Sequence, residues 1–209
     1  MKTLALLALT VTLAAGTPQA PVSQPPSGSA PVAPPPGGRG GGRGRGAAQI
    51  MALTSAAWTD GGAIPARHAQ AGGDVSPSLS WTNTPESTVS FVLVVHDLDT
   101  VTGAGPDDVL HWLVWNIPGA ARALPEHIPQ GATLPDGSRQ VSVTGPNYRG
   151  PAAPASGLPH HYVFELFALD ASIDVPAIGA SPSQTRAAVA AAMAGHVRGK
   201  GVLTGVYTR

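Results

Sequence analysis

The stretch that most constrains the fold is SFVLVVHDLD, Ser90 to Asp99. Successive side chains of a strand point to opposite sides, and here both sides are apolar. Such a strand has to be covered on both faces, which places it at the centre of a sheet in a layered domain. HWLVWNIP from His111 and HYVFELFALD from His161 are similar: aromatic and β-branched residues bounded by Gly or Pro. LSWTN and RQVSVTG are shorter strand candidates, and GVLTGVYTR ends the chain as another. One helix is expected, in SPSQTRAAVAAAMAGH. Ser181 can cap it, Pro182 suits its first position, its Ala-rich body has high propensity, and Gly195 can end it. The expected fold class is mostly β, two packed antiparallel-rich sheets with a peripheral C-terminal helix.

Composition shifts divide the 209 residues. Residues 1–20 read as an export signal peptide, with Lys2 ahead of an apolar core and small residues after it. That core is shorter than the roughly 20 residues a membrane-spanning helix needs. Residues 21–48 are Pro-, Gly- and Arg-rich, with almost no large apolar side chains whose burial could offset the entropy of ordering, and are expected to form a disordered linker. Its Arg39, Arg43 and Arg45 lack aromatic neighbours, so a tether is favoured over an RNA-binding segment. Residues 49–209 carry the composition of one globular domain. There is no cysteine, hence neither a disulfide framework nor a thiol for lipid attachment. Zero formal net charge and 11% charged residues argue against nucleic acid as a partner. The expected product is exported and soluble, without a membrane anchor.

Polar groups collect at the ends of the three long strand candidates. By strand parity Phe91, Leu93, Val95, Asp97 and Asp99 share one face, so an apolar face ends in two carboxylates. His111 opens the next strand on the face of Leu113 and Trp115, and antiparallel pairing would bring it to the same rim. After the Pro-rich loop GPNYRGPAAPASGLP, His160 and Tyr162 share a face that Phe164 and Leu166 continue inward. His96 and His161 fall on opposite faces and read as structural. Imidazoles and a phenol can donate hydrogen bonds to an anion, a nearby carboxylate can orient a histidine or meet an ammonium, and backbone N–H groups of the loop can add to the cradle. The set suits a zwitterion such as a phosphate bearing an amine. For each residue a structural role in turns or packing stands beside the functional one.

The same residues carry a resemblance to the phosphatidylethanolamine-binding protein family, in its bacterial Raf-kinase-inhibitor-like branch, from about Leu53 to Arg209. HDLDT stands where the family has Asp-Pro-Asp-Ala-Pro, HWLVWNIP matches its His-bearing strand, and GPAAP followed by GLPHHYVFELFALD matches its loop and Gly-x-His-Arg-Tyr segment. The resemblance implies a two-sheet fold and an anion pocket made by Asp97, His111, His160 and Tyr162, with Gly150 and Pro151 in its wall. Leu98, Thr100 and Val101 depart from the first motif, His161 replaces an Arg, and Ala153 interrupts a proline pair.

The expected function is non-enzymatic binding of a phosphate-bearing small ligand or phospholipid head group, with no cofactor. Asp97 would orient His111 or contact the amine, and the histidines and Tyr162 would donate to the phosphate. Two alternatives stand beside it. One is an exported inhibitor of a protease or kinase acting through its outer surface. The other is a metal-assisted hydrolase using the Asp and His groups.

Overall fold

The computed structural model describes residues 48–101, 108–152 and 157–209. The expected signal peptide and most of the expected linker lie outside them. In chain order the elements are β1 (Gln49–Ile50), β2 (Ala52–Ser55), β3 (Gly62–Ala63), β4 (Leu79–Thr82), β5 (Ser90–Val101), β6 (Asp108–Pro118), β7 (Ala123–Leu124), β8 (Arg139–Val141), β9 (His160–Leu169), α1 (Pro182–Met193) and β10 (Val197–Tyr207).

The strand with two apolar faces, β5, lies inside a seven-stranded sheet ordered β1-β10-β9-β5-β6-β8, with β3 also on β10. β5, β6, β9 and β10 pair antiparallel, whereas β1 and β3 run parallel to β10. A three-stranded sheet, β2-β4-β7, forms the second layer.

Two apolar clusters cover the two faces of β5. Phe91, Leu93 and Val95 pack with Trp112, Val114, Phe164 and the small-sheet residues Leu53, Leu79 and Trp81. Val92 packs with Leu113, Trp115 and the helix residues Val189 and Met193. Each fully buried Leu or Phe contributes about 1.5–3 kcal/mol relative to exposure. The indole N–H of Trp112 is answered by Gln140 Oε1 at 2.8 Å and that of Trp115 by the Val175 carbonyl at 3.1 Å, so these rings enter the core without an orphaned donor.

The helix α1 is delimited by local chemistry. Ser181 Oγ accepts from Gln184 N–H, and Gln184 Oε1 accepts from Ser181 N–H, a complete capping box with Pro182 at the first position. Gly195 follows its end at φ +87°, a left-handed conformation that glycine adopts freely. The last strand begins at Val197, four residues before the apolar pattern of GVLTGVYTR suggests.

The site depends on one irregularity. Along β5 and β6 the register steps from Val95↔Trp112 to His96↔Leu110, leaving His111 as an extra residue between the two pairs. This β-bulge breaks the alternation of faces. Leu113 and Trp115 therefore face the helix, whereas His111 meets Tyr162, which belongs to the opposite cluster. The shared face expected for His111, Leu113 and Trp115 is corrected accordingly: parity fails at His111 because the strand bulges there.

Candidate anion site at the strand ends

The rim is assembled from three adjacent strands. β5 supplies Asp97, whose Cα partner on β9 is Tyr162, and β6 supplies the bulged His111. His160 stands two residues before Tyr162, at the start of β9. His111 and Tyr162 meet edge to face with ring centroids 5.0 Å apart, and His160 lies over Tyr162 at 6.5 Å with an interplanar angle of 26°. The structure thus brings Asp97, His111, His160 and Tyr162 together.

Asp97 is 3% exposed, so its carboxylate must be satisfied internally. Oδ1 accepts from the Asp99 N–H at 2.9 Å, and Oδ2 accepts from Thr100 Oγ1 at 3.0 Å and faces His160 Nδ1 at 2.9 Å. Thr100 Oγ1 also lies 3.2 Å from His160 Nδ1. The histidine that Asp97 orients is therefore His160. The expectation that Asp97 would orient His111 is corrected: the β5–β9 register puts the carboxylate beside the start of β9.

His111 is held from the other side. Its Nδ1 lies 2.8 Å from the Arg149 carbonyl, and the Arg149 N–H donates to the His111 carbonyl at 3.0 Å. Burial lowers the imidazole pKa below its ordinary value, against the opposing pull of the Arg149 carbonyl and of Asp97, so the net direction is down. Burial, then the Asp97 charge, drives the Tyr162 pKa up, so its hydroxyl keeps its proton.

The wall is tied down by contacts the loop composition does not reveal. The Gly150 N–H donates to Asp74 Oδ1 at 2.8 Å, and its carbonyl accepts from Gln70 Nε2 at 2.9 Å. Arg149 reaches Asp74 and Gln70 with its guanidinium. Pro151 is buried, and its carbonyl accepts from the Gln70 N–H at 3.0 Å. The Ala152 N–H donates to Tyr162 Oη at 3.2 Å. The expectation that this loop offers backbone N–H groups to a ligand is corrected for its described part at Gly150–Ala152: Gly150 and Ala152 spend theirs on protein partners, and Pro151 has none. Residues 153–156 lie outside the described part.

Two carboxylates expected together separate. Asp99 is exposed and accepts from the His161 backbone N–H at 2.6 Å, with His161 Nδ1 at 2.8 Å from the same oxygen. The hydrogen bonds from His161 lower its pKa. His96 faces the other way, as its parity implies. Its Nδ1 contacts Asp108, which also takes Arg186, and its Nε2 lies 3.4 Å from Glu165 Oε2, an ion-pair distance without a directed hydrogen bond. Sequence reasoning missed Thr100, Arg149, Asp74 and Gln70. Only Thr100 left a signal, as a hydroxyl where the resembled motif has Ala. Between α1 and the large sheet, a groove of about 340 Å³ is lined by Val94, Phe167, Val189 and Met193 and shares no residue with this rim.

A family model described as phosphatidylethanolamine-binding protein matches residues 54–208. The chain belongs to the phosphatidylethanolamine-binding protein family. A UPF0098 protein of Methanothermobacter thermautotrophicus is 39% identical over 76% of this chain and 99% of its own length. Escherichia coli YbhB is 38% identical over 57% of this chain and 78% of its own. A Mycobacterium tuberculosis relative named as lipoprotein LppC is 33% identical over 76% of this chain and 75% of its own. The crystal structure of Escherichia coli YbcL, described as a member of the mammalian family, superposes with TM-score 0.65 at 30% identity, covering 76% of this chain and 98% of that one. No helix among the described residues is long and apolar enough to cross a membrane.

Proposed function

We propose that the chain is a non-enzymatic binding protein for a phosphate-bearing small ligand or phospholipid head group. The site is the rim of Asp97, His111, His160 and Tyr162, with Gly150 and Pro151 as its wall. One observation carries this reading: two imidazoles and a phenol from three strand positions converge beside one buried carboxylate. Each imidazole uses Nδ1 to hold a protein oxygen. Among the described residues neither Nε2 has a hydrogen-bond partner, and neither is among the fully enclosed unpartnered atoms. These nitrogens and the Tyr162 hydroxyl are the polar edges left for a ligand, and the Asp97 charge behind them suits a ligand that also carries an amine. The leader composition and a relative named as a lipoprotein support export.

An NMR titration of the domain with phosphoethanolamine and with inorganic phosphate tests the reading. Shifts confined to His111, His160, Tyr162 and the Asp97–Thr100 segment are expected, and the double variant His111→Ala/His160→Ala should remain folded and lose them. Unchanged binding in that variant would remove the assignment.

The inhibitor reading has one observation in its favour: Leu98 and Leu158, beside the rim in sequence, are 54% and 85% exposed. Inhibition of a protease that survives the double variant would place the activity on that outer surface. For the metal-assisted hydrolase, no group of three His, Asp or Glu placed to hold a metal ion occurs among the described residues.

A further inference from the structure

Strand β5 is apolar on both sides, yet its helix-facing side is not fully covered. Val92 is sealed there, whereas Val94 and, on the neighbouring β9, Phe167 stay half-buried. The cause lies in the helix. Val189 and Met193 of α1 enter the core cluster, but the stripe beside them carries Ala190 and Ala194, whose single methyl groups leave the space between helix and β9 open. The result is the groove of about 340 Å³, within the roughly 300–1,000 Å³ range of small-molecule sites. Its walls belong to the cluster on the helix side of the sheet, whereas Tyr162 of the rim belongs to the other.

One end of the groove is charged. Glu165, the Cα partner of Val94, and Arg186, on the Ala190–Ala194 stripe, both line it. Behind them the two carboxylates are saturated. Glu165 meets Lys200 through Oε1 and lies 3.4 Å from His96 Nε2 through Oε2. Asp108 meets Arg186 through Oδ1 and His96 through Oδ2. The donors are not saturated. A guanidinium has five N–H groups and an ammonium three. Among the described residues Arg186 engages a protein partner only through Nη1, and Lys200 pairs only with Glu165 while lying 5.2 Å over the Phe167 ring. The hydrogen-bonding capacity left at this end is therefore that of donors, and the basic groups His96, Arg186 and Lys200 outnumber the acidic Asp108 and Glu165.

Length follows from the helix. From Arg186 to Ala194 it rises about 12 Å, at roughly 1.5 Å per residue. We propose that the groove between α1 and the large sheet is a second ligand site, which takes an amphiphile with one apolar chain of about ten carbons and an anionic head. The chain lies along Ala190 and Ala194 over Phe167 and Val94, and covers the apolar surface that the helix leaves open. The head accepts from the Arg186 guanidinium, with the Lys200 ammonium adding to the field. This site is independent of the rim and of the phosphate reading.

Methyl and amide NMR of the full chain tests the proposal, by titration at neutral pH with decanoate, decanol and decyltrimethylammonium below their micellar concentrations. Decanoate is expected to shift the methyl groups of Val94, Leu113, Val189 and Met193 and to leave the amides of His111 and Tyr162 in place. It should bind about tenfold more tightly than decanol, the worth of a hydrogen bond to a charged group, with the cation weakest. Ala190 is exposed, so Ala190→Trp fills the lip of the groove without entering the core. That variant should lose the methyl shifts while its circular dichroism stays that of the parent. In Arg186→Gln the preference for decanoate over decanol should disappear. Decanoate shifts that persist in Ala190→Trp, shifts centred on the rim, or equal affinities for the three amphiphiles overturn the proposal, and so does the absence of any shift. None of these outcomes bears on phosphate binding at the rim.

Discussion

His111 and Arg149 hold each other by two hydrogen bonds, the imidazole Nδ1 to the Arg149 carbonyl at 2.8 Å and the Arg149 N–H to the His111 carbonyl at 3.0 Å. A bulged residue of one strand is thereby locked to the loop that walls the site. The bulge turns the ring toward Tyr162, and the loop fixes which nitrogen it offers. The geometry of the rim is then set by backbone contacts, with few degrees of freedom left to the side chains.

The Asp97 carboxylate is the buried hub of the rim, with partners at Asp99, Thr100 and His160. Asp97→Asn keeps the shape but turns an N–H₂ toward groups that donate. Leaving such donors unsatisfied costs about 1–3 kcal/mol. Urea denaturation should show that loss, and phosphate titration should show weakened binding. An Asp97→Asn protein as stable as the parent would mean that the carboxylate's contacts with Asp99, Thr100 and His160 add nothing to stability.

Thr100→Val removes a hydroxyl that bridges Asp97 and His160 and keeps the β-branched shape. One neutral-to-charged hydrogen bond is lost, but Asp97 retains two partners. The expected cost is about 1 kcal/mol, less than for Asp97→Asn. Denaturant midpoints of the two variants measured side by side check the order.

Gly150 is a close-approach position. A Cβ there would lie 2.3 Å from the His68 carbonyl oxygen and 2.8 Å from Ala69 backbone atoms. Those neighbours are main chain and cannot rotate aside, so Gly150→Ala has to displace the wall loop. A destabilisation of about 1–3 kcal/mol is expected, with larger shifts at His111 and Arg149 than elsewhere in an amide NMR spectrum. Unmoved His111 resonances would show that the loop and the bulge are not mechanically linked.

The layered β fold was legible because the apolar runs of β5, β6 and β9 are long and two-faced, and α1 because Ser181, Pro182 and Gly195 punctuate it. Convergence of Asp97, His160 and Tyr162 was legible too, since strand parity holds along those segments. The position of His111 was reached through a parity argument that fails: alternation puts it with Leu113 and Trp115, and the bulge puts it with Tyr162. A bulge leaves no mark in residue type here. The loop's grip on His111 was equally hidden, because it runs through a carbonyl that every residue possesses. β1 and β3 are two-residue strands parallel to β10, too short for any periodicity to register.

The two inward histidines on opposite faces of the large sheet should give opposite pH signatures. Burial alone would lower the His96 pKa, but Glu165 and Asp108 outweigh it, and the net direction is up from 6.5. Its contribution to stability is therefore full below about pH 6.5 and is lost as pH rises through the raised folded value. For His111 burial wins and the direction is down from 6.5, so its contribution is present above that pH and is lost as pH falls through the lowered value. Glu165, held down to about 2 chiefly by its contact with His96, stays ionised throughout this window. Urea denaturation at pH 5.5 to 8.5 of the parent, His96→Gln and His111→Gln separates the two. The destabilisation caused by His96→Gln should shrink as pH rises, and that caused by His111→Gln should grow. Parallel curves for the two variants would mean that the carboxylate cluster around His96 and the wall around His111 do not impose opposite protonation on their rings.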